Sequence, residues 1–313
     1  MCTSIRFNDR FFGRTFDFES SFGEEMVITP RGRMLVGQAE NRYAFMGVGI
    51  KNDGTPLYFD GINEWGLVAC ALNFPHFACY QDDKDAKTSV SASHLISLVL
   101  GFSRSVAEAR EMLKNISVTN ENPNGKYEVT PLHWIVSDPR ESLVIESVRD
   151  GLRVYDNPVG VLTNSPEFPY HLTRLADYSG LSTKNPKVTQ TLLYSRGMGA
   201  VGLPGDFSSS SRFIRASFLK QNCPINSDST TGGVGQALDI LASVSLPYGS
   251  VITDEGLPMS TRYTAVIDME SPAYHLTTAT CRAISRIKLT DSLCEAAEII
   301  TAPIYKEQII CNL

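Results

Sequence analysis

The chain has 313 residues, 42% of them hydrophobic and 20% charged, with a formal net charge of −6. That length can bury a substantial core in one large domain or two, and the composition is that of an ordinary globular protein. The acidic balance and the scattered Lys and Arg argue against a nucleic-acid partner, and no apolar run approaches the ~18 residues that insert across a bilayer.

Residues 2–7 and 11–18 read as strands joined by a turn at Asn8-Asp9-Arg10, and Val27-Ile28-Thr29 as a strand stopped by Pro30-Arg31-Gly32. Tyr43–Ile50 is a further strand, closed by Asn52-Asp53-Gly54. A hairpin follows, with strands at 56–62 and 67–72 around Asn63-Glu64-Trp65-Gly66, whose glycine can take a positive φ. From Ser91 the period turns helical, giving helices over 91–101 and 106–115; Gly101 stops the first, and Ser105-Val106-Ala107-Glu108 has capping-box spacing for the second. Strands return at 132–137, 142–148, 152–155 and 159–163, followed by a helix over 168–178 and a polar loop over 180–190. Helices are expected at 210–219, with a serine run to cap it, and at 234–244. Strands at 262–268, 273–279 and 285–289 precede an ambiguous C-terminal stretch. No repeat or linker divides the chain, so a single domain over 1–313 is expected. Hairpins with segregated helices point to an α+β fold.

Seven cysteines at irregular spacing form neither a disulfide framework nor a zinc ribbon, and Cys70 fits a small buried core residue. Cys2 stands apart by position alone. Removal of Met1 would give it a thiol and a free α-amine of ordinary pKa about 7.7–8.0, a nucleophile carrying its own base. Taken alone, a cysteine at position 2 is a weak motif. Gly197-Met-Gly-Ala-Val-Gly202 is a literal GxGxxG, but Pro204 and Gly205 follow at once and no acid stands where a ribose would need one; it reads as a glycine-rich loop. Histidines 76, 94, 133, 171 and 275 are dispersed, with no spacing for a metal site, and GxSxG is absent. Arg6, Asp9, Arg10 and Arg14 interrupt any signal-peptide pattern, so a cytoplasmic location is expected.

Arg14, Asp17, Asn73, Asn164 and Arg212 are polar residues at strand or helix ends. Each has an ordinary structural account: Asn ahead of Pro is turn chemistry, and Arg14–Asp17 could be a surface ion pair.

Together with Met1-Cys2-Thr3, Gly13-Arg14-Thr15-Phe16-Asp17, Ile28-Thr29-Pro30-Arg31-Gly32, Asn63-Glu64-Trp65-Gly66-Leu67, Leu72-Asn73-Phe74-Pro75, Leu132-His133-Trp134, Val161–Pro166 and Gly202–Asp206 to Ser211-Arg212-Phe213, these residues resemble the choloylglycine hydrolase family along nearly the whole chain. The resemblance implies an αββα sandwich of two antiparallel sheets flanked by helices, the N-terminal nucleophile hydrolase fold. It implies amide cleavage through an acyl-thioester on Cys2, without metal or cofactor. Asp17 would orient the α-amine, and Arg14 would lie beside the sulfur, where a cation favours thiolate. The Asn73 N–H and the Asn164 side chain would hold the oxyanion, with Arg212 in support. The substrate class is glycine- or taurine-conjugated bile salts; asparagine at position 73 and Asp206 after the glycine-rich loop look like that branch, and Phe16, Phe59, Asn73 and Leu132 are the expected pocket residues. Segment 33–45, which borders the pocket in the family, looks short. A penicillin V acylase or other N-acyl amidase is the alternative, and a non-catalytic small-molecule binder a third reading. A homo-oligomer, a tetramer, is expected by the same resemblance.

Overall fold

The computed structural model describes residues 1–35, 39–51, 56–80, 88–121, 129–187, 196–225 and 232–312. The chain opens with the hairpin β1 (Cys2–Phe7) and β2 (Phe11–Phe18), turned by Asn8 and Asp9, both at φ 52°. Then come β3 (Glu25–Thr29), β4 (Phe45–Ile50), β5 (Leu57–Tyr58), β6 (Asp60–Asn63) and β7 (Val68–Asn73). In the β6–β7 connection Gly66 has φ 84°, and a Cβ there would lie 2.2 Å from the Met269 carbonyl oxygen. That position admits only glycine without distortion. Arg31 pairs with Glu64, whose carboxylate also takes the Ala44 N–H, so two of the quoted motifs brace each other.

β8 (Thr88–Ser91) leads into α1 (Leu95–Phe102) and α2 (Val106–Leu113), and β9 (Ile116–Thr119) then pairs with β8 in parallel. The sequence reading missed both strands, because four residues each flanking a strong helical period carry little signal. Ser105 caps α2 through the Glu108 N–H at 3.3 Å, but the Glu108 carboxylate turns to the Arg104 N–H at 2.9 Å instead of closing the box. β10 (Leu132–Ser137), β11 (Ser142–Val148), β12 (Gly151–Asp156) and β13 (Val161–Leu162) follow the expected order, the last shorter than 159–163. After α3 (Phe168–Ala176) and α4 (Ser209–Asn222), α5 (Gly232–Ala242) leads to β14 (Ser260–Asp268), β15 (Ala273–Thr278) and β16 (Ser285–Lys288). The ambiguous C-terminal stretch forms α6 (Asp291–Cys294) and β17 (Ile300–Pro303), which adds to β3. The expected turn at 52–54 and the end of the 180–190 loop lie outside the described residues.

Among the described residues one six-stranded sheet runs β13-β1-β2-β14-β15-β16, and a nine-stranded sheet runs β12-β11-β10-β7-β6-β4-β3-β17 with β5 on β4. Strand alternation separates the layers. On β7, Val68, Cys70 and Leu72 join the core between the sheets, while Ala69 and Ala71 join the core under α1 and α2. On β2, Gly13 faces Leu241 of α5, whereas Arg14 faces Asp60 of the other sheet. Helices therefore cover both outer faces, and the two sheets stack inside.

The described part of segment 33–45 packs away from the cavity beside Cys2, discussed below, and lines none of it. It folds instead over the end of α1: the Arg42 and Tyr43 N–H groups donate to Gly101 O, and Leu35 packs in the outer core. Its apolar residue finds a dry partner there, against a glycine whose missing side chain makes room.

Candidate active site

Cys2 begins β1 and pairs with Phe16 of β2, so Cys2, Ser4, Arg14 and Phe16 share the face toward the second sheet. Arg14 Nη2 lies 3.0 Å from Cys2 Sγ. Its other nitrogens are tied elsewhere: Nη1 donates to Phe59 O at 3.0 Å and Asp60 Oδ2 at 3.2 Å, and Nε to Thr15 O at 3.3 Å. A cation held against sulfur is an environment that favours thiolate. Arg14 is wholly buried and its ion partner is Asp60, so it makes no surface pair with Asp17, which projects from the opposite face of β2.

Asp17 is also wholly buried, accepting from Thr15 Oγ1 at 3.0 Å and Thr261 Oγ1 at 2.6 Å. Its backbone brackets Met1: the N-terminal amine donates to Asp17 O at 2.7 Å, and Asp17 N–H to Met1 O at 3.0 Å. With Met1 in place, the Cys2 N–H goes to Asn164 Oδ1 at 2.9 Å, not to Asp17. An amide nitrogen has one hydrogen to give and that acceptor takes it.

Asn164 follows β13, and its side chain is oriented by what surrounds it. Oδ1 receives the Cys2 N–H and Arg212 Nη2 at 2.6 Å, while Nδ2 donates to Asn73 O at 2.7 Å. Two donors on one atom and an acceptor at the other assign the amide. Arg212, in the first turn of α4, also gives Nη1 to Cys2 O at 2.5 Å and to Thr3 Oγ1 at 2.6 Å. Burial lowers its pKa, opposed by Asp17 nearby. The serine run does cap this helix: Ser208 accepts from the Ser211 N–H, and Asp206 accepts the Ser208 N–H and the Ser211 hydroxyl, which hold its carboxyl down to about 2.

Arg14, Asn164 and Arg212 thus reach Cys2, Asp17 brackets Met1 beside it, and Asn73 joins through its carbonyl. Beside Cys2 a cavity of about 110 Å³ is lined by Phe16, Phe59, Asn73 and Leu132, as the sequence reading expected of pocket residues, and also by Phe18, Phe22 and Trp134. The wall beside the sulfur is aromatic: Phe16 stands 4.6 Å from Phe18 and 4.8 Å from Phe59, centre to centre. The GxGxxG stretch lies apart from these residues as a turn of 3-10 helix over Met198–Ala200, with Gly197 and Gly202 at positive φ.

Several neighbours escaped the sequence reading. His133 is buried with Glu146 at 3.1 Å, stacks on Phe74, and reaches Thr163 O at 3.1 Å. Glu146 also takes the Phe168 N–H, and His171 Nε2 meets Asn164 O at 2.9 Å. Thr261 and Tyr263 reach opposite faces because the β14–β2 register shifts between them: Thr261 pairs with Asp17 and Tyr263 with Phe16. No local signal in Ser260-Thr261-Arg262-Tyr263 announces that bulge.

Two antiparallel sheets stacked between helices, with a cysteine opening the first strand, define the αββα architecture of the N-terminal nucleophile hydrolases. Residues 2–302 match the family of linear amide C–N hydrolases known as the choloylglycine hydrolase family, and the chain belongs to it. It is 38% identical to a bile salt hydrolase/transferase of Lactiplantibacillus plantarum over 98% of both chains, and 36% identical to a conjugated bile acid hydrolase of Lactobacillus acidophilus over 96% of this chain and 100% of that one. A crystal structure of a mutant conjugated bile acid hydrolase from Clostridium perfringens superposes with a TM-score of 0.92 at 32% identity, covering 100% of each chain. A penicillin V acylase from Agrobacterium tumefaciens, at 22% identity and a TM-score of 0.77, shares the fold. No helix among the described residues is long and apolar enough to cross a membrane.

Proposed function

We propose that this chain is a cysteine amidase that releases glycine or taurine from conjugated bile salts. The observation that carries the reading is Arg14 Nη2 at 3.0 Å from Cys2 Sγ, in a chain whose relatives named as bile acid hydrolases align over nearly its whole length.

With Met1 gone, the α-amine has more than one hydrogen to give. One remains on Asn164 Oδ1, and the region vacated by Met1 beside Asp17 is open to another. The amine takes the thiol proton and the sulfur attacks the amide carbon, forming the C–S bond. The carbonyl oxygen, now negative, is held by the Asn73 N–H and by the second hydrogen of Asn164 Nδ2. Donors aimed at developing charge in a dry site contribute about 2.7–4 kcal/mol each. As the C–N bond breaks, the ammonium passes its proton to the leaving amine. Water, with the amine as base, then cleaves the thioester and frees the acid. Arg14 stabilises the anionic sulfur, while Arg212 holds Cys2 and Asn164 in one frame. The apolar acyl group occupies the cavity walled by Phe16, Phe59 and Leu132, with Asn73 at its polar end. We place the activity in a cytoplasmic, single-domain chain over 1–313 that assembles as a homotetramer, on the family resemblance.

Cys2→Ala is expected to abolish amino-acid release from taurocholate and glycocholate while leaving thermal unfolding unchanged; full activity in that variant would sink the mechanism. Intact mass should show Met1 absent from the active protein. Faster turnover of penicillin V than of either conjugate would overturn the substrate assignment.

A further inference from the structure

Asp60 lies in β6, paired with Cys70, and is wholly buried. A carboxylate in such a place must be paired and hydrogen-bonded to be tolerated. Its Oδ2 accepts from Arg14 Nη1 at 3.2 Å and from the Tyr263 hydroxyl at 2.5 Å, and its Oδ1 from the Tyr274 hydroxyl at 2.7 Å. Both tyrosines are buried, and neither they nor Asp60 line the cavity beside Cys2.

We infer that Asp60, with the hydroxyls of Tyr263 and Tyr274, is a positioning group for Arg14 that sets how much of the guanidinium charge reaches the Cys2 sulfur. The inference rests on the reading of Cys2 as nucleophile. Its first support is geometric. A guanidinium is planar, so fixing Nε on Thr15 O and Nη1 on Asp60 and Phe59 O fixes where Nη2 points. Nη2 points at sulfur, 3.0 Å away. The rings of Phe16 and Tyr263, 5.0 and 5.7 Å from the guanidinium carbon, add cation–π contacts.

The second support is a charge count. Arg14 and Asp60 cancel, so Arg14 has no surplus charge to set against the thiolate that forms when the α-amine takes the thiol proton. An undamped carboxylate would oppose that thiolate and draw the cation away from sulfur. Two phenol hydrogens on Asp60 spread its charge and oppose both effects. Burial, with the neighbouring carboxylate, pushes both phenols well above their ordinary pKa, so they remain donors. The β14 register shift has the consequence this needs: it turns Tyr263 toward Asp60 while Thr261, two residues earlier, still serves Asp17 on the other face.

The test measures alkylation of Cys2 by iodoacetamide as a function of pH, read on the N-terminal peptide by mass so that the other thiols do not contribute. Tyr274→Phe, which removes the hydroxyl that donates to Asp60 Oδ1, is expected to raise the pH midpoint. Below the midpoint alkylation slows about three- to tenfold, a full pH unit being tenfold. Tyr263→Phe should move the same way. Asp60→Asn, which removes the opposing charge, should lower the midpoint. KM for the conjugate should hold in all three, because none of these side chains lines the cavity. Profiles that overlay the parent, or that shift in one direction for all variants, would overturn the inference. Should Asp60→Asn not fold, the two Tyr→Phe variants decide the matter, since they keep ring volume. Cys2→Ala assayed in parallel separates the two readings. If it retains activity the nucleophile assignment falls, while the alkylation profiles still judge the positioning of Arg14 by Asp60.

Discussion

Replacing Asn164 by aspartate exchanges one NH2 for an oxygen at nearly constant volume, and the structure determines which half of the side chain changes. Oδ1 keeps its two donors, the Cys2 N–H at 2.9 Å and Arg212 Nη2 at 2.6 Å. The second oxygen would face Asn73 O, where Nδ2 now donates at 2.7 Å, and two acceptors would meet. Losing that bond costs about 0.5–1.5 kcal/mol, and leaving the Asn73 carbonyl unpaired costs about 1–3 kcal/mol. Arg212, wholly buried and already on this side chain, offsets much of the new charge. A net destabilisation of about 1.5–4.5 kcal/mol is expected from the two hydrogen-bond terms. The reaction should suffer as well. The donor that would face the oxyanion is gone, worth about 2.7–4 kcal/mol, or about a 10²–10³-fold fall in kcat. KM should change little, since the acyl group sits against other residues. Initial rates of taurine or glycine release at saturating conjugate, beside urea unfolding of the same preparation, measure both terms. A folded Asn164→Asp enzyme within about threefold of the parent kcat, under 1 kcal/mol of barrier, would refute the oxyanion role.

Arg14→Met should remove activity and also leave the Asp60 carboxylate buried without its cation, at about 3–5 kcal/mol in urea unfolding. Adding Asp60→Asn to that variant should recover most of the stability and none of the activity. A double variant as unstable as the single one would show that the pair contributes little. His171 titrates in a window that stability measurements can reach. Burial lowers its pKa to about 4, below the ordinary 6.5 of an unfolded chain. The unfolded state therefore binds the proton more readily, so stability falls as pH drops from 6.5 toward 4, by up to about 3 kcal/mol. His171→Gln, which can still donate to Asn164 O, should flatten that slope; an unchanged slope would place the titration elsewhere.

The strand order and the hairpins were legible because turn residues punctuate them and alternation sets their faces. Gly66 shows how far such reading goes: its positive φ follows from the turn, but the Met269 carbonyl that forbids any side chain there lies about 200 residues away in sequence. Strands β8, β9 and β17 were not legible. Each is short, and its partner is far off, so only the closed sheet makes a strand of it. The packing of segment 33–45 was not legible for a related reason. A loop inherits its place from what it packs against, and Leu35 and Gly101 meet only in the folded chain.

For the site, the sequence by itself determined the chemistry on offer: a thiol at position 2, two arginines, two asparagines and a carboxylate, in an order matching one enzyme family. Their joint orientation belongs to the tertiary structure. Arg14 and Asp17 lie three residues apart yet project from opposite faces of β2, one toward Asp60 and the sulfur, the other toward Thr261. The alternation of a strand separates them, and a register shift in its neighbour supplies each with a partner. Asp60, Tyr263 and Tyr274 carry no motif because a buried charge is recognised by its surroundings, and those surroundings come from two different sheets.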